Sequence, residues 1–272
     1  MELIRSVLID IDGVLCIGDS PLPGSLEAMA LLRRSGAGIR LVTNTTRKTR
    51  ADIVRQLAAM GFDVAEHEVI TGAAAARKLL ETRALRPYLL IHPGLMPDFA
   101  GIATDAPNAV VIGDAAEGFS YPALNTAFRI LIDQPGAPLI ALANNRYFRE
   151  AGGLSLDAGP FVAALEYASG AHAEITGKPA EAIYRTALDE LGSTPAQSVM
   201  IGDDIESDIA GAQRAGLRAV LVRTGKFRPS DERHPGCRPD AIANDFHRAV
   251  VELIEPSLAP RTQDHHASEA AE

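Results

Sequence analysis

Val7-Leu8-Ile9 is an apolar run of three residues that stops at Asp10-Ile11-Asp12-Gly13. It is too short for a helix and reads as a buried strand with carboxylates at its end. The pattern recurs: residues 39–42 form a strand ending at Thr43-Asn44, and residues 198–201 one ending at Gly202-Asp203-Asp204. Amphipathic stretches separate them. Residues 24–35 place Leu26, Met29 and Ala30 on one face before Gly36, and residues 50–60 place Ile53, Leu57 and Met60 on one face before Gly61. Strands alternating with helices predict an α/β fold, a doubly wound parallel sheet covered by helices.

The middle of the chain has its own β/α order. Strands are expected over 88–91, 109–112 and 139–143, with a helix over 121–132. A Gly-rich stretch, Gly152-Gly153-Leu154, and Gly159-Pro160 precede a helix over 161–168. The first pattern then returns, with a helix over 180–191, another over 206–215 burying Ile209, Ala212 and Ala215, and a strand over 219–222. From Pro256 the sequence is aperiodic and rich in Pro, Ser, Ala, His and Glu, so residues 256–272 are expected to be disordered, with His265-His266 solvated.

The chain has 272 residues, 47% of them hydrophobic, enough to bury one large core or two smaller ones. A net charge of −9 makes it a poor partner for nucleic acid or an anionic membrane, while leaving room for a bound cation. The two cysteines, Cys16 and Cys237, lie far apart, which argues against a disulfide scaffold or a structural zinc site. The opening Met-Glu-Leu-Ile-Arg-Ser has no basic leader character, and no run approaches membrane-spanning length. These features lead us to expect a soluble, cytoplasmic protein.

In an open parallel sheet the ligand site lies beyond the carboxyl ends of the strands. Three such ends would gather Asp10, Asp12, Thr43, Asn44, Asp203 and Asp204 at one edge. Carboxylates that close repel, and a hard cation such as Mg²⁺ relieves the repulsion. Mg²⁺ commonly accompanies phosphate. Lys178, followed by Pro179 at an expected helix start, supplies a positive charge for such a substrate.

Asp10-x-Asp12-Gly13-Val14-Leu15, Thr43-Asn44, Gly177-Lys178-Pro179 and Gly202-Asp203-Asp204 with Asp208 resemble, in order, the four motifs of the haloacid dehalogenase (HAD) superfamily. The long insert between the second and third motifs resembles the large α/β cap of its NagD-like phosphatases. The resemblance implies a split core, 1–75 and 174–255, around a cap at 76–173. Residues 86–92, 159–168 and 223–232 resemble the phospholysine phosphohistidine inorganic pyrophosphate phosphatases and the HAD-like hydrolase domain-containing protein 2 group. Animal members of both groups often carry Ser where this chain has Asp12.

The resemblance implies the following roles. Asp10 is the nucleophile that forms an aspartyl-phosphate, and Asp12 is the acid and then the base. Asp10, Asp203 and the Asp12 carbonyl hold Mg²⁺. The backbone through Asp10, Ile11 and Asp12, together with Thr43, Asn44 and Lys178, binds the phosphoryl group, while Asp204 and Asp208 support the metal and the lysine. The substrate is a small phosphorylated compound, either a phosphoamide (phosphohistidine or phospholysine) or pyrophosphate. A sugar or nucleotide monoester, or a non-catalytic phospho-ligand module, is the alternative. Relatives dimerise through the cap, so a homodimer is a possible state. Cap residues Tyr121, Asn144, Asn145, Tyr147 and Asp157 are candidates for the substrate wall, although packing or exposure explains each as well. Arg47, Lys48 and Arg50 read as a solvated helix start. A P-loop is excluded because Gly170 stands too far from Gly177 and Pro179 replaces the required Ser or Thr.

Overall fold

The computed structural model describes residues 3–150 and 153–258. β1 (Ser6–Ile9) leads through a small flap, β2 (Cys16–Ile17) and β3 (Ser20–Pro21), into α1 (Ser25–Ser35), β4 (Gly38–Thr43), α2 (Arg50–Ala59), β5 (Val69–Thr71) and α3 (Gly72–Thr82). The middle comprises β6 (Pro87–Leu90), β7 (Ala109–Ile112), α4 (Tyr121–Asp133), β8 (Leu139–Ala141), the hairpin β9 (Tyr147–Glu150) and β10 (Gly153–Leu156), α5 (Ala158–Ser169) and β11 (Glu174–Ile175). Then come α6 (Glu181–Leu191), β12 (Ser198–Gly202), a π-helical turn Ile205–Ala210 running into α7 (Gly211–Arg214), β13 (Arg218–Val222), β14 (Ala241–Ala243) and α8 (Phe246–Arg248).

Six strands form one sheet in the order β14-β13-β12-β1-β4-β5. All its pairings are parallel. β1 is central and fully buried, so both its faces must be apolar. Val7 and Ile9 pack with Leu41, Leu32 and Leu57 on one face, while Leu8 packs with Ile183, Met200 and Ile209 on the other. The second sheet, β11-β8-β7-β6, is also parallel. α4 and α5 cover one of its faces, and α3 with the segment Pro93–Phe99 covers the other.

Several boundaries differ from expectation for identifiable reasons. α3 crosses the expected boundary at 75/76. Thr71 caps it, and its Ala73, Ala76 and Leu80 pack on the second sheet. α5 starts at Ala158 because Asp157 caps it and Pro160 falls in its first turn, where no backbone donor is needed. Gly153 opens β10 and pairs with Glu150 of β9, while Gly152 lies outside the described residues. The segment expected as one helix over 206–215 is a π turn followed by α7, and it does bury Ile209, Ala212 and Ala215. At the C-terminal end, Leu258 bridges Ile4, and the Ile4 N–H donates to the Ser257 carbonyl at 2.8 Å. The first residues of the expected tail therefore pair with the N-terminal segment. The remainder, including His265-His266, lies outside the described residues.

The two connections between the sheets run side by side. The Thr176 hydroxyl donates to the Gly72 carbonyl at 2.8 Å. A Cβ on Gly72 or Gly177 would come within 2.2 or 2.4 Å of the Leu142 carbonyl oxygen. Glycine is required there for the backbones to approach. The crossing sits beside Asn44 and Lys178, so the junction that joins the sheets also shapes the site.

Candidate active site

Asp10 is the first residue past β1, and its N–H donates to the Ile201 carbonyl of β12 at 3.0 Å. Strand pairing on both sides fixes its position, and its side chain is buried. The Lys178 ammonium reaches it, with Nζ 2.5 Å from Asp10 Oδ1 and 2.7 Å from Asp208 Oδ1. Burial alone would lower the Lys178 pKa, but the Asp10 and then the Asp208 charges outweigh it, so the ammonium stays protonated. Asn44 holds the lysine's backbone on both sides. Its Nδ2 donates to the Lys178 carbonyl and its Oδ1 accepts from the Lys178 N–H, each at 2.7 Å. Lys178 precedes α6 rather than opening it, since the helix starts at Glu181 after an Ala180 cap.

Asp203 follows β12 and is completely buried. Its Oδ2 accepts from the Lys226 N–H at 2.7 Å. Gly13 and Gly225 flank the same oxygen: a Cβ on either would come within 2.1 or 1.8 Å of it. Both glycines have positive φ, so the site needs them for conformation as well as for space. Asp203 Oδ1 is buried with no hydrogen-bond partner. Asp208, in the π turn, uses Oδ1 for Lys178 and accepts the Asp204 N–H on Oδ2 at 3.1 Å. Asp204 caps that turn, its Oδ1 accepting from Glu206 and Ser207 N–H at 3.0 Å each.

Asp10, Asp203 and Asp208 each present a carboxylate oxygen within 4.8 Å of the other two. The lysine ammonium offsets only part of that charge. Burial, then the Asp10 and Asp208 charges, push the Asp203 carboxyl up to about 8. Burial also lifts Asp208, Lys178 pulls it back, and the net is about 6. Asp204 stays below the usual carboxylate range, because backbone N–H donors and Lys226 outweigh its burial. A buried Asp203 oxygen without a donor, with Asp10 and Asp208 carboxylates close by, fits a hard, oxygen-seeking cation. Asp203 is the one of the three that Lys178 does not reach; Asp10 and Asp208 share the ammonium, and Asp208 Oδ2 also accepts from the Asp204 N–H.

The Asp12 side chain reaches solvent at the mouth of a recess lined by Ile11, Thr43, Thr45, Lys48 and Gln56. Protein packed around it, then the Asp10 charge, raise its pKa against Lys48, Lys226 and Lys178. Thr43, at the end of β4, is buried and accepts from the Thr45 N–H at 3.2 Å.

The basic residues after Asn44 are not uniformly solvated. Arg47 Nε lies 2.5 Å from Asp114 Oδ2, and its guanidinium stacks 4.6 Å over the Phe148 ring. A core loop is thereby tied to the segment after β7 of the second sheet and to β9 of the hairpin. Lys48 lines the recess, with Nζ donating to Gln56 Oε1 at 2.8 Å. Arg50 opens α2 and faces Glu66 at 3.9 Å.

The cap-side candidates divide. Asp157 caps α5 through the Ala158 N–H and hydrogen-bonds Asn145, which is a structural role. Asn144 follows β8 and is exposed. Tyr121, 79% exposed at the start of α4, and Tyr147 stand in solvent. Sequence reasoning missed Thr45, Gln56 and Asp114, which only the folded chain brings to this edge. The positive-φ turn at Gly225 carried a legible signal, a Gly three residues past the end of β13.

A haloacid dehalogenase-like hydrolase model matches residues 7–102, and a HAD-hydrolase-like model matches residues 175–249. The human phospholysine phosphohistidine inorganic pyrophosphate phosphatase is 48% identical over 256 residues, covering 93% of this chain and 95% of that protein. NagD from Escherichia coli superposes with a TM-score of 0.82 at 25% identity, over 91% of this chain and 98% of NagD. The glycerol phosphate phosphatase Rv1692 of Mycobacterium tuberculosis, in complex with magnesium, superposes with a TM-score of 0.82 at 26% identity, over 96% and 82%.

Proposed function

The chain belongs to the haloacid dehalogenase-like hydrolase family and is a phosphatase of it, and from that premise we propose a Mg²⁺-dependent reaction through an aspartyl-phosphate at Asp10. One observation carries the reading: a buried Asp10 held by Lys178, beside Asp203 with an unpartnered oxygen. Asp10, Asp203 and the Asp12 backbone carbonyl would hold the ion. Bound there, Mg²⁺ supplies charge neutralisation for the transferring phosphoryl group.

Asp10 attacks phosphorus, and the bond to the leaving group breaks as Asp12 donates a proton to the departing atom. Asp12 then takes a proton from water, whose oxygen bonds to phosphorus as the Asp10–phosphorus bond breaks. Lys178 fixes the Asp10 carboxylate and faces the charge that develops. Thr43 and the backbone of Ile11, Asp12 and Asn44 line the phosphoryl position. Asp208 anchors Lys178, and Asp204 caps the turn that carries Asp208.

The substrate class is a small phosphoamide, phosphohistidine or phospholysine, or pyrophosphate, as in the name of the human relative. Asp12 supports a second reading, hydrolysis of ordinary phosphate monoesters. An alkoxide leaves poorly without an acid, and an acid is present here. Dimerisation through the second sheet's helices is also part of the proposal, supported by exposed Tyr121, Ile132 and Tyr167 on α4 and α5. Among the described residues no helix is long and apolar enough to cross a membrane. The test is phosphate release from an aryl phosphate. It should require Mg²⁺, stop with EDTA and be absent from Asp10→Asn. Release that survives EDTA would refute the metal-dependent reading.

A further inference from the structure

We propose that Lys48 binds negative charge on the leaving group, so that the recess beside Asp12 selects substrates whose departing half is an anion. The proposal rests on the phosphatase reading above and adds a specificity-determining residue to it. A leaving group must sit where Asp12 can hand it a proton. Asp12 and Lys48 stand at the rim of one small recess floored by the buried Ile11, Cys16, Ile53 and Leu57, so a group leaving past Asp12 departs beside Lys48.

Lys48 is the one cation among the described residues lining this recess. Lys48 and Asp12 line the same recess, and both side chains are exposed. Gln56 holds the ammonium at 2.8 Å and donates from Nε2 to Asp19 Oδ1 at 2.8 Å and to the Gly18 carbonyl at 3.1 Å in the flap. The ammonium is therefore positioned against the wall and keeps further N–H donors for a ligand. The neighbouring cations are committed elsewhere: Lys178 to Asp10 and Asp208, and Arg47 to Asp114 and Phe148. Thr45 adds a hydroxyl to the same wall.

Pyrophosphate is the simplest substrate of this kind. Asp10 forms a bond to one phosphorus, the bridging oxygen leaves with the second phosphate, and Asp12 protonates that oxygen. Lys48 pairs with the departing phosphate. Water then cleaves the aspartyl-phosphate, so one pyrophosphate and one water give two phosphates. Phosphoimidazole releases neutral imidazole and offers Lys48 no anion.

The experiment compares pyrophosphate and phosphoimidazole with Mg²⁺ in the wild-type chain, Lys48→Gln and Lys48→Arg. Lys48→Gln should raise KM for pyrophosphate about tenfold or more, the worth of a charged hydrogen bond, and change phosphoimidazole less than about threefold. Lys48→Arg should recover most of the loss. KM for pyrophosphate should rise with salt in the wild type, and less so in Lys48→Gln. Equal changes on both substrates, or no change on pyrophosphate, overturn the proposal. So does a wild-type chain that hydrolyses phosphoimidazole but not pyrophosphate, and in that case the phosphatase reading stands. Inactivity on both overturns this proposal, and phosphate release from the aryl phosphate then decides separately whether the phosphatase reading stands.

Discussion

The Lys178 ammonium lies 2.5 Å from Asp10 Oδ1, with both side chains buried. A lysine in that position has no water to fall back on, so its charge depends on Asp10 and Asp208. The dependence is mutual. Lys178→Met would leave two buried carboxylates facing each other, at a cost of about 3–5 kcal/mol. The loss of thermal stability should shrink as pH falls from 7 to 5, because protonated carboxyls no longer repel. Activity should fall by about a thousandfold. A variant as stable as wild type at pH 7 would show that the pair contributes nothing to the fold.

Asp203 and Asp208 are raised to about 8 and about 6 in the folded chain. An unfolded aspartate titrates near 3.9. Between those limits the folded state binds more protons than the unfolded one, so metal-free stability falls as pH rises from about 4 to about 8. In EDTA the melting temperature should drop by more than about 5 °C across that range. Mg²⁺ should restore it, with the largest gain at the alkaline end. Asp203→Asn should flatten the EDTA profile and abolish the Mg²⁺ response. A profile that rises with pH in EDTA would contradict the carboxylate cluster.

Gly13 closes on Asp203, and an added Cβ would stand 2.1 Å from Oδ2 at a φ of +90°. Gly13→Ala must either shift the Asp203 carboxylate or strain the turn, at about 1–3 kcal/mol. Mg²⁺ affinity and activity should fall together, by at least about tenfold. Calorimetric Mg²⁺ binding unchanged from wild type would show that the turn can yield without moving Asp203.

Much of this was legible in the residues. Short apolar runs ending in Asp10, Thr43 and Asp203 could only be strands of a parallel sheet, and that fixed which edge carries the chemistry. The motif order named Lys178 and Asp208, which the structure brings together from far apart in the chain. What stayed hidden depends on tertiary contact. Nothing in Arg47-Lys48 says that one residue turns to Asp114 and the other to the recess. α3 was invisible as a boundary element because its Ala-rich face packs on a sheet formed later in the chain. The strand opening at Gly153 read as a loop, because a glycine marks a turn without stating what flanks it.

Arg47 joins the core to the second sheet through Asp114, whose side chain is buried while the arginine is partly exposed. Arg47→Ala would leave that carboxylate without its charged partner, at about 1–3 kcal/mol. The stronger effect should be on substrate, with KM rising more than kcat falls, because the second sheet loses its tie to the loop that follows Thr43. Arg47→Ala and Asp114→Ala combined should cost no more than the worse single variant. Fully additive losses would mean that the two residues act independently.

The central claim is that Asp10 takes the phosphoryl group covalently. The direct measurement is to quench Mg²⁺-dependent turnover with borohydride and map the modified residue by peptide mass spectrometry. An acyl phosphate is reduced to the alcohol, so homoserine should replace aspartate at position 10, only when substrate and Mg²⁺ are both present. Active turnover with position 10 unmodified, or with reduction at another carboxylate, would contradict the account.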